Sequence, residues 1–254
     1  MPGIISPTAD FSASGLGRGL FLTTNRTNLI SEFLFGRNLA TSRVNSAGMK
    51  TNAVEALTGA AVAPVYGDHE AELGNGAGID TLVAMPGVAH TMLLVCGVQG
   101  ADAATLATDT ILSGVSSGFN GRLAVTVAAG KLTFSLADVS ATPASLPNLP
   151  ARPLSAHRCL IASISGSAAA SIMTIEEFAG GQLLQSASAP TAGARTAPAG
   201  TIVVGNSSHI GPGTFPARVK HAARLDWDRQ LSAAERLAAY QEVRAILAGM
   251  GKTI

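Results

Sequence analysis

Two adjacent glutamates, Glu176 and Glu177, form the acidic pair in this 254-residue chain that most invites an enzymatic reading. A retaining glycosidase needs two carboxylates flanking one bond, one as acid and one as nucleophile. The surrounding TIEEF reads as a strand, and neighbours on a strand point to opposite faces. The pair therefore argues against such an enzyme. Asp226 and Asp228 flank Trp227. Residues two apart on a strand share a face, so these two could coordinate Ca²⁺. The competing reading is a turn entry in which Asp228 pairs with Arg229 or caps nearby N–H groups. Asp68-His69-Glu70 has the residue types of a metal or acid–base site but reads as a polar turn between two short strands. His69, His90, His157, His209 and His221 lack zinc-site spacing. Cys96 and Cys159 sit in apolar runs and read as buried free thiols; spacing alone does not say whether they pair. No G-x-S-x-G motif supports a nucleophilic serine, and Gly15–Gly19 has neither the lysine nor the strand–loop–helix context of a phosphate loop. No catalytic residue and no resident cofactor emerges.

The elements that would position these groups are mostly strands. Residues 90–98 (HTMLLVCGV) are apolar throughout, as expected of a strand buried on both faces. Residues 122–127 and 131–136 alternate apolar and polar around an Ala-Ala-Gly turn, a hairpin signature. Residues 157–165, 171–178 and 183–186 read as three consecutive strands, with turns at Gly166-Ser167 and Gly180-Gly181. Residues 201–205 (TIVVG) form another strand. Residues 141–153 carry four prolines and read as a loop or crossover. The chain closes with an alternating strand over 219–227 and a helix over 232–248. Ser232 and Glu235 spell a capping box, Leu237, Tyr240, Val243, Ile246 and Leu247 recur at helical spacing, and Gly249 and Gly251 stop the helix. Trp227 ends the strand and reads as core rather than as a platform for a sugar ring.

Composition narrows the class. Only 13% of residues are charged, and the net charge is +1. A nucleic-acid partner would call for a basic patch, and the positive residues are scattered. No apolar run reaches membrane-span length, which argues against membrane insertion, and the N-terminus has no signal-peptide pattern. Small residues, 28 glycines and 12 prolines suit short strands joined by turns, as in a β-sandwich. Residues 1–60 differ: a Gly/Ser/Pro-rich start, then NLISEFLF, a short helix or apolar plug. Its cluster Ile30, Phe33, Leu34 and Phe35 would be an aggregation hazard if exposed. We expect an arm that docks on the domain or on a neighbouring subunit.

Residues 157–240 resemble the concanavalin A-like, laminin-G-like jelly-roll superfamily. HRCLIASISGSAAASIMTIEEFAGGQLL looks like its paired hairpin strands, and TIVVGNSS is similar to its strand ending in an "iG" step. ARLDWDRQLSAAERLAAY looks like its closing strand–helix element, which places Trp227, Arg229, Leu231, Ser232 and Glu235 in a structural seal. GDHEAELGNGAGIDTLVAMPGVAHTMLLVCGV is similar to the family's early strands as they occur in bacteriophage and prophage tail proteins, and the preceding GRNLATSRVNSAG resembles what comes before the sandwich in such phage proteins.

The fold class expected is all-β: a two-sheet antiparallel jelly-roll sandwich over residues 61–254, with an extended N-terminal arm over 1–60 and one C-terminal amphipathic helix. The resemblance implies a non-enzymatic virion structural protein of a tail tip, baseplate or fibre. It would partner other tail proteins and itself, as a homotrimer. The alternative is a lectin-like module that recognises a host surface glycan.

Overall fold

The computed structural model describes residues 22–36, 38–47, 52–57, 63–74, 76–85, 89–99, 110–115, 118–126, 131–135, 144–146, 155–165, 171–191, 199–205 and 218–254. Gly15–Gly19, His209, the Gly166-Ser167 turn and most of the proline-rich stretch lie outside them. In chain order the elements are β1 (Leu29–Leu34), α1 (Leu39–Ser42), β2 (Val54–Leu57), β3 (Val65–Gly67), β4 (Glu70–Gly74), β5 (Ala77–Ala84), β6 (His90–Val98), β7 (Thr110–Val115) and β8 (Gly118–Thr126). They continue with β9 (Lys131–Ser135), β10 (Ala144–Ser145), β11 (Arg158–Ile164), β12 (Ile172–Ala179), β13 (Gln182–Pro190), β14 (Thr201–Gly205), β15 (Arg218–Trp227) and α2 (Ala233–Ala248).

The strands form an all-β sandwich of two antiparallel sheets. The eight-stranded sheet runs β13-β12-β11-β6-β15-β4-β3, with β1 also paired to β15. The seven-stranded sheet runs β10-β9-β8-β7-β14-β5-β2. Successive segments alternate between the two sheets in the jelly-roll manner. β15 is the longest strand, with 10 residues. One edge pairs with β6; the other pairs first with β4, through Arg218–His221, and then with β1, through Ala223–Trp227.

Two cores explain the burial of β6. Met92, Leu94, Cys96 and Val98 point between the sheets with Leu73, Ile79, Leu112, Leu160, Ile175 and Val204. Leu93 and Val95 point the other way, into a second core with Ile161, Phe178, Leu225, Trp227 and the helix residues Tyr240, Val243 and Leu247. The molecule thus has three layers, with α2 on the outer face of the larger sheet, and the continuous apolar run of β6 serves both interfaces.

The described part of the N-terminal arm packs on the domain, one of the two dockings expected for it. NLISEFLF is neither helix nor plug but supplies strand β1, which adds to β15, while β2 adds to β5. Phe33 and Phe35 are buried between the sheets with ring centroids 6.2 Å apart, Leu34 joins the outer core, and Ile30 packs with Met85 and Ile202. The apolar cluster is consumed by this chain's own core rather than offered to a neighbour. A run this short carries no period that separates strand from helix; the open edge of β15 decides it.

Cys96 and Cys159 are both free and buried. Cys96 faces the inter-sheet core and Cys159 the outer core, so the sheet itself separates them. Burial pushes the Cys96 thiol up to about 12 and raises that of Cys159 as well. A buried, protonated thiol is a poor nucleophile. Ellman's reagent is therefore expected to react with neither thiol in the native protein and with both after denaturation.

Candidate functional site

The closing element is a seal. Trp227 is fully buried, and its indole N–H donates to Asn25 O at 2.6 Å. Arg229 donates to both carboxylate oxygens of Glu235, at 2.8 and 3.1 Å, and its Nε reaches Thr27 O. Ser232 Oγ accepts from Glu235 N, and Glu235 accepts from Ser232 N, so the capping box is present in full. The hydrogen bond from Arg229, joined by that from Ser232 N, holds the Glu235 carboxyl down at about 2. Leu231 is buried, and its N–H donates to Thr91 Oγ1 at 2.9 Å. The N-terminal segment laces over this element. Thr23 and Thr24 donate to Glu242, and Asn25 Nδ2 donates to Glu235 O. Ser232→Ala is expected to lower stability by about 1 kcal/mol, measured by denaturant unfolding, without changing any binding.

Asp226 and Asp228 do not share a face. The strand ends at Trp227, so the two-residue period does not carry on to Asp228, which is exposed. Asp226 lies buried between the sheets. It takes Arg224 Nε at 2.9 Å and Nη2 at 2.6 Å, and Ser31 Oγ also donates to it. Among the described residues no group of three or more His, Cys, Asp or Glu could hold a metal ion.

Glu176 and Glu177 diverge as alternation requires. Glu177 points between the sheets, where Arg158 Nη1 donates to it at 2.5 Å and Gln185 Nε2 at 2.7 Å. Glu176 points outward and holds Arg236 of α2 through two hydrogen bonds, at 2.6 and 2.9 Å. One glutamate ties neighbouring strands together inside the sandwich, and the other ties the helix to the sheet.

Sequence reasoning missed the polar groups of the interior. Arg224 and Asp226 are each about 1% exposed, and Arg224 Nη1 donates to Ser113 of the opposite sheet. His221 is fully buried, with Phe35 edge-on at 6.3 Å, and neither ring nitrogen has a hydrogen-bond partner among the described residues. Burial first, then the charge of Arg224, holds its imidazole down at about 3. Glu32 is also buried. It accepts from Leu22 N at 2.7 Å and Arg26 Nη1 at 3.3 Å, yet burial outweighs both and pushes its carboxyl up to about 7.

The Asp68-His69 stretch is the expected turn, with His69 at φ 62°. Glu70 instead enters a charged patch on the outer face beside α2. Lys252 donates to it, Lys220 Nζ lies 3.4 Å away and His157 Nε2 3.3 Å away. Burial alone would raise the Glu70 carboxyl, but these cations hold it below the usual carboxylate range. Glu70 holds both Lys252 and Lys220, Glu72 lies 3.8 Å from Lys220 as well, and the bond from Lys252 fastens the C-terminal tail.

What remains is the outer face of β12 and β13 beyond the helix. Ile172, Thr174, Ser186 and Ser188 lie there, neither paired to a charge among the described residues nor covered by α2, and Thr174 Oγ1 and Ser188 Oγ share a hydrogen bond of 2.9 Å. These hydroxyls, with the exposed Ile172 beside them, suit hydrogen bonding to a neutral polar ligand.

No protein-family model and no curated protein sequence matches the chain. Solved structures do. The binding domain of botulinum neurotoxin serotype D matches 85% of this chain with 51% of its own, at a TM-score of 0.54 and 14% identity. The binding domain of botulinum neurotoxin DC in complex with SialylT matches 86% of this chain with 52% of its own, at 0.56 and 9%. A botulinum neurotoxin type C structure, described by cell entry through two ganglioside molecules, matches 84% with 51% of its own, at 0.54 and 10%. At these identities the likeness is one of fold. The chain spans about half the length of these binding domains.

Proposed function

We propose that this chain is a glycan-recognition module that binds without cleaving. The observation that supports it best is the shared fold: over 86% of its length the chain follows a toxin binding domain whose structure was determined with SialylT. The toxin domains are twice as long, so the glycan specificity of the whole domain is not carried over with the fold. The placement of Glu176 and Glu177 supports binding over cleavage. They sit on opposite faces of one strand, each held by an arginine, and offer no pair to flank a glycosidic bond.

A glycan array probed with the purified chain tests the reading. Binding to a defined oligosaccharide class, with the glycan recovered intact afterwards, is the expected result. An array with no hit at high protein concentration overturns it.

The finer reading is a virion attachment subunit in a phage tail tip, baseplate or fibre. It rests on the sequence resemblance quoted above, and none of the three structures just described is a virion protein. It is compatible with glycan recognition, because an attachment subunit can be structural and bind a surface sugar. Its assembly as a homotrimer is testable by light scattering: a monomer at all concentrations removes the trimer.

A further inference from the structure

We propose that the uncovered outer face of β12 and β13 is the seat of a neutral oligosaccharide. The inference rests on the glycan-binding reading and gives it an address. On this face the register sets Ser188 beside Thr174, Thr174 beside Ser163, and Ser163 beside Thr91. Four hydroxyls therefore cross four neighbouring strands in one row. At its inner end Thr91 is satisfied, accepting from Leu231 N and donating to Arg229 O. At its outer end Thr174 and Ser188 bond each other, and neither side chain has a further hydrogen bond among the described residues.

A row of small polar residues is not in itself a site. The second observation is Ser163, which is 1% exposed and whose Oγ has no hydrogen-bond partner among the described residues. Leaving a buried hydroxyl unsatisfied is unfavourable. Fold stability does not explain it, because alanine would fill the same place without that cost. Its side chain projects into the row directly beside Thr174, where a ligand hydroxyl or a water held by a ligand would complete it.

The neighbouring rows set the chemistry. On one side Ile172, 49% exposed, stands opposite Pro190, also exposed. On the other, Ser186 stands opposite Glu176. The face thus offers an aliphatic step next to a line of hydroxyls, the same division that a pyranose presents between its C–H face and its hydroxyl rim. Charge decides for a neutral sugar. Glu176 and Arg236 are paired through two charge-assisted hydrogen bonds, so their charges balance and leave no unmatched charge there for an anionic or cationic substituent.

The experiment uses the full chain. A glycan array identifies the best-bound oligosaccharide, which is then titrated calorimetrically against wild type, Thr174→Val/Ser188→Ala and Ile172→Asp. Affinity at least tenfold weaker in both variants, at an unchanged melting temperature, is the expected result. Ile172→Asp changes an exposed position and carries the test if the double variant does not fold. Amide shift changes on titration are expected at 172–176 and 186–190. If wild type binds a neutral glycan and the variants bind it equally, the address is wrong and the glycan-binding reading stands. If wild type binds only sialylated glycans, the neutral assignment falls. If wild type binds no glycan, both readings fall.

Discussion

Replacing Arg224 by methionine lowers the free energy of unfolding by about 3–5 kcal/mol. The guanidinium is the counter-ion of Asp226, and both side chains are about 1% exposed between the sheets. Removing it leaves a carboxylate in a place where water cannot reach, and the Ser31 hydroxyl alone does not offset the loss. It also removes the bond from Arg224 to Ser113, a polar link between the sheets. The double variant Arg224→Met/Asp226→Asn removes the charge together with its partner and is expected to recover a large part of the loss. Denaturant titrations of the three proteins at neutral pH measure this. A single variant as stable as wild type would show that the pair contributes nothing.

The second large effect is acid sensitivity at His221. Its folded value of about 3 lies below the ordinary 6.5. Between those two pH values the unfolded chain binds the proton and the folded chain does not. Stability from this group is therefore full above pH 6.5 and is lost as pH falls, by roughly 4–5 kcal/mol over the whole window. Glu32 acts in the opposite sense. Its folded value of about 7 lies above 4.5, so the folded chain holds the proton between them and its contribution declines as pH rises through that range. The two oppose each other from pH 4.5 to 6.5; below 4.5 the opposition from Glu32 has ended, and the lowered carboxyls of Glu235 and Glu70 add to the loss. His221→Leu also removes two unsatisfied ring nitrogens. It is expected to be at least as stable as wild type at pH 7.5 and increasingly more stable as the solution is acidified, measured by urea unfolding at pH 7.5, 5.5 and 4. Parallel curves for the two proteins would refute the assignment.

Local signals in the sequence reach far into this fold. Ser232 and Glu235 foretell their own hydrogen bonds, because a capping box closes within four residues. Gly180-Gly181 foretells a tight hairpin, and both glycines take positive φ, 61° and 90°, as a two-residue turn of this hand requires. The uniform apolarity of residues 90–98 foretells a strand with two buried faces. Long-range pairing is what the sequence hides. NLISEFLF has no period, and its strand character comes from an edge of β15 nearly 200 positions away. Arg224 and Asp226 look like the polar alternation of a half-exposed strand; only the third layer, α2 over the outer face, forces them inward. Arg158 and Glu177 meet because β11 and β12 pair, and nothing in either residue's neighbours in the chain announces it. The hydroxyl row likewise exists only across strands, since each of its members is an ordinary serine or threonine in its own segment.

The position of β15 also governs how the chain folds. It lies between β6 on one edge and β4 and β1 on the other, yet it follows all three in the chain and so leaves the ribosome after them. Until it arrives, β6, β4 and β1 keep open edges on apolar strands, and the cores on both faces stay incomplete. Such late, long-range closure slows folding and leaves intermediates prone to aggregation. The strand that holds the larger sheet together is thus also the step on which its folding waits.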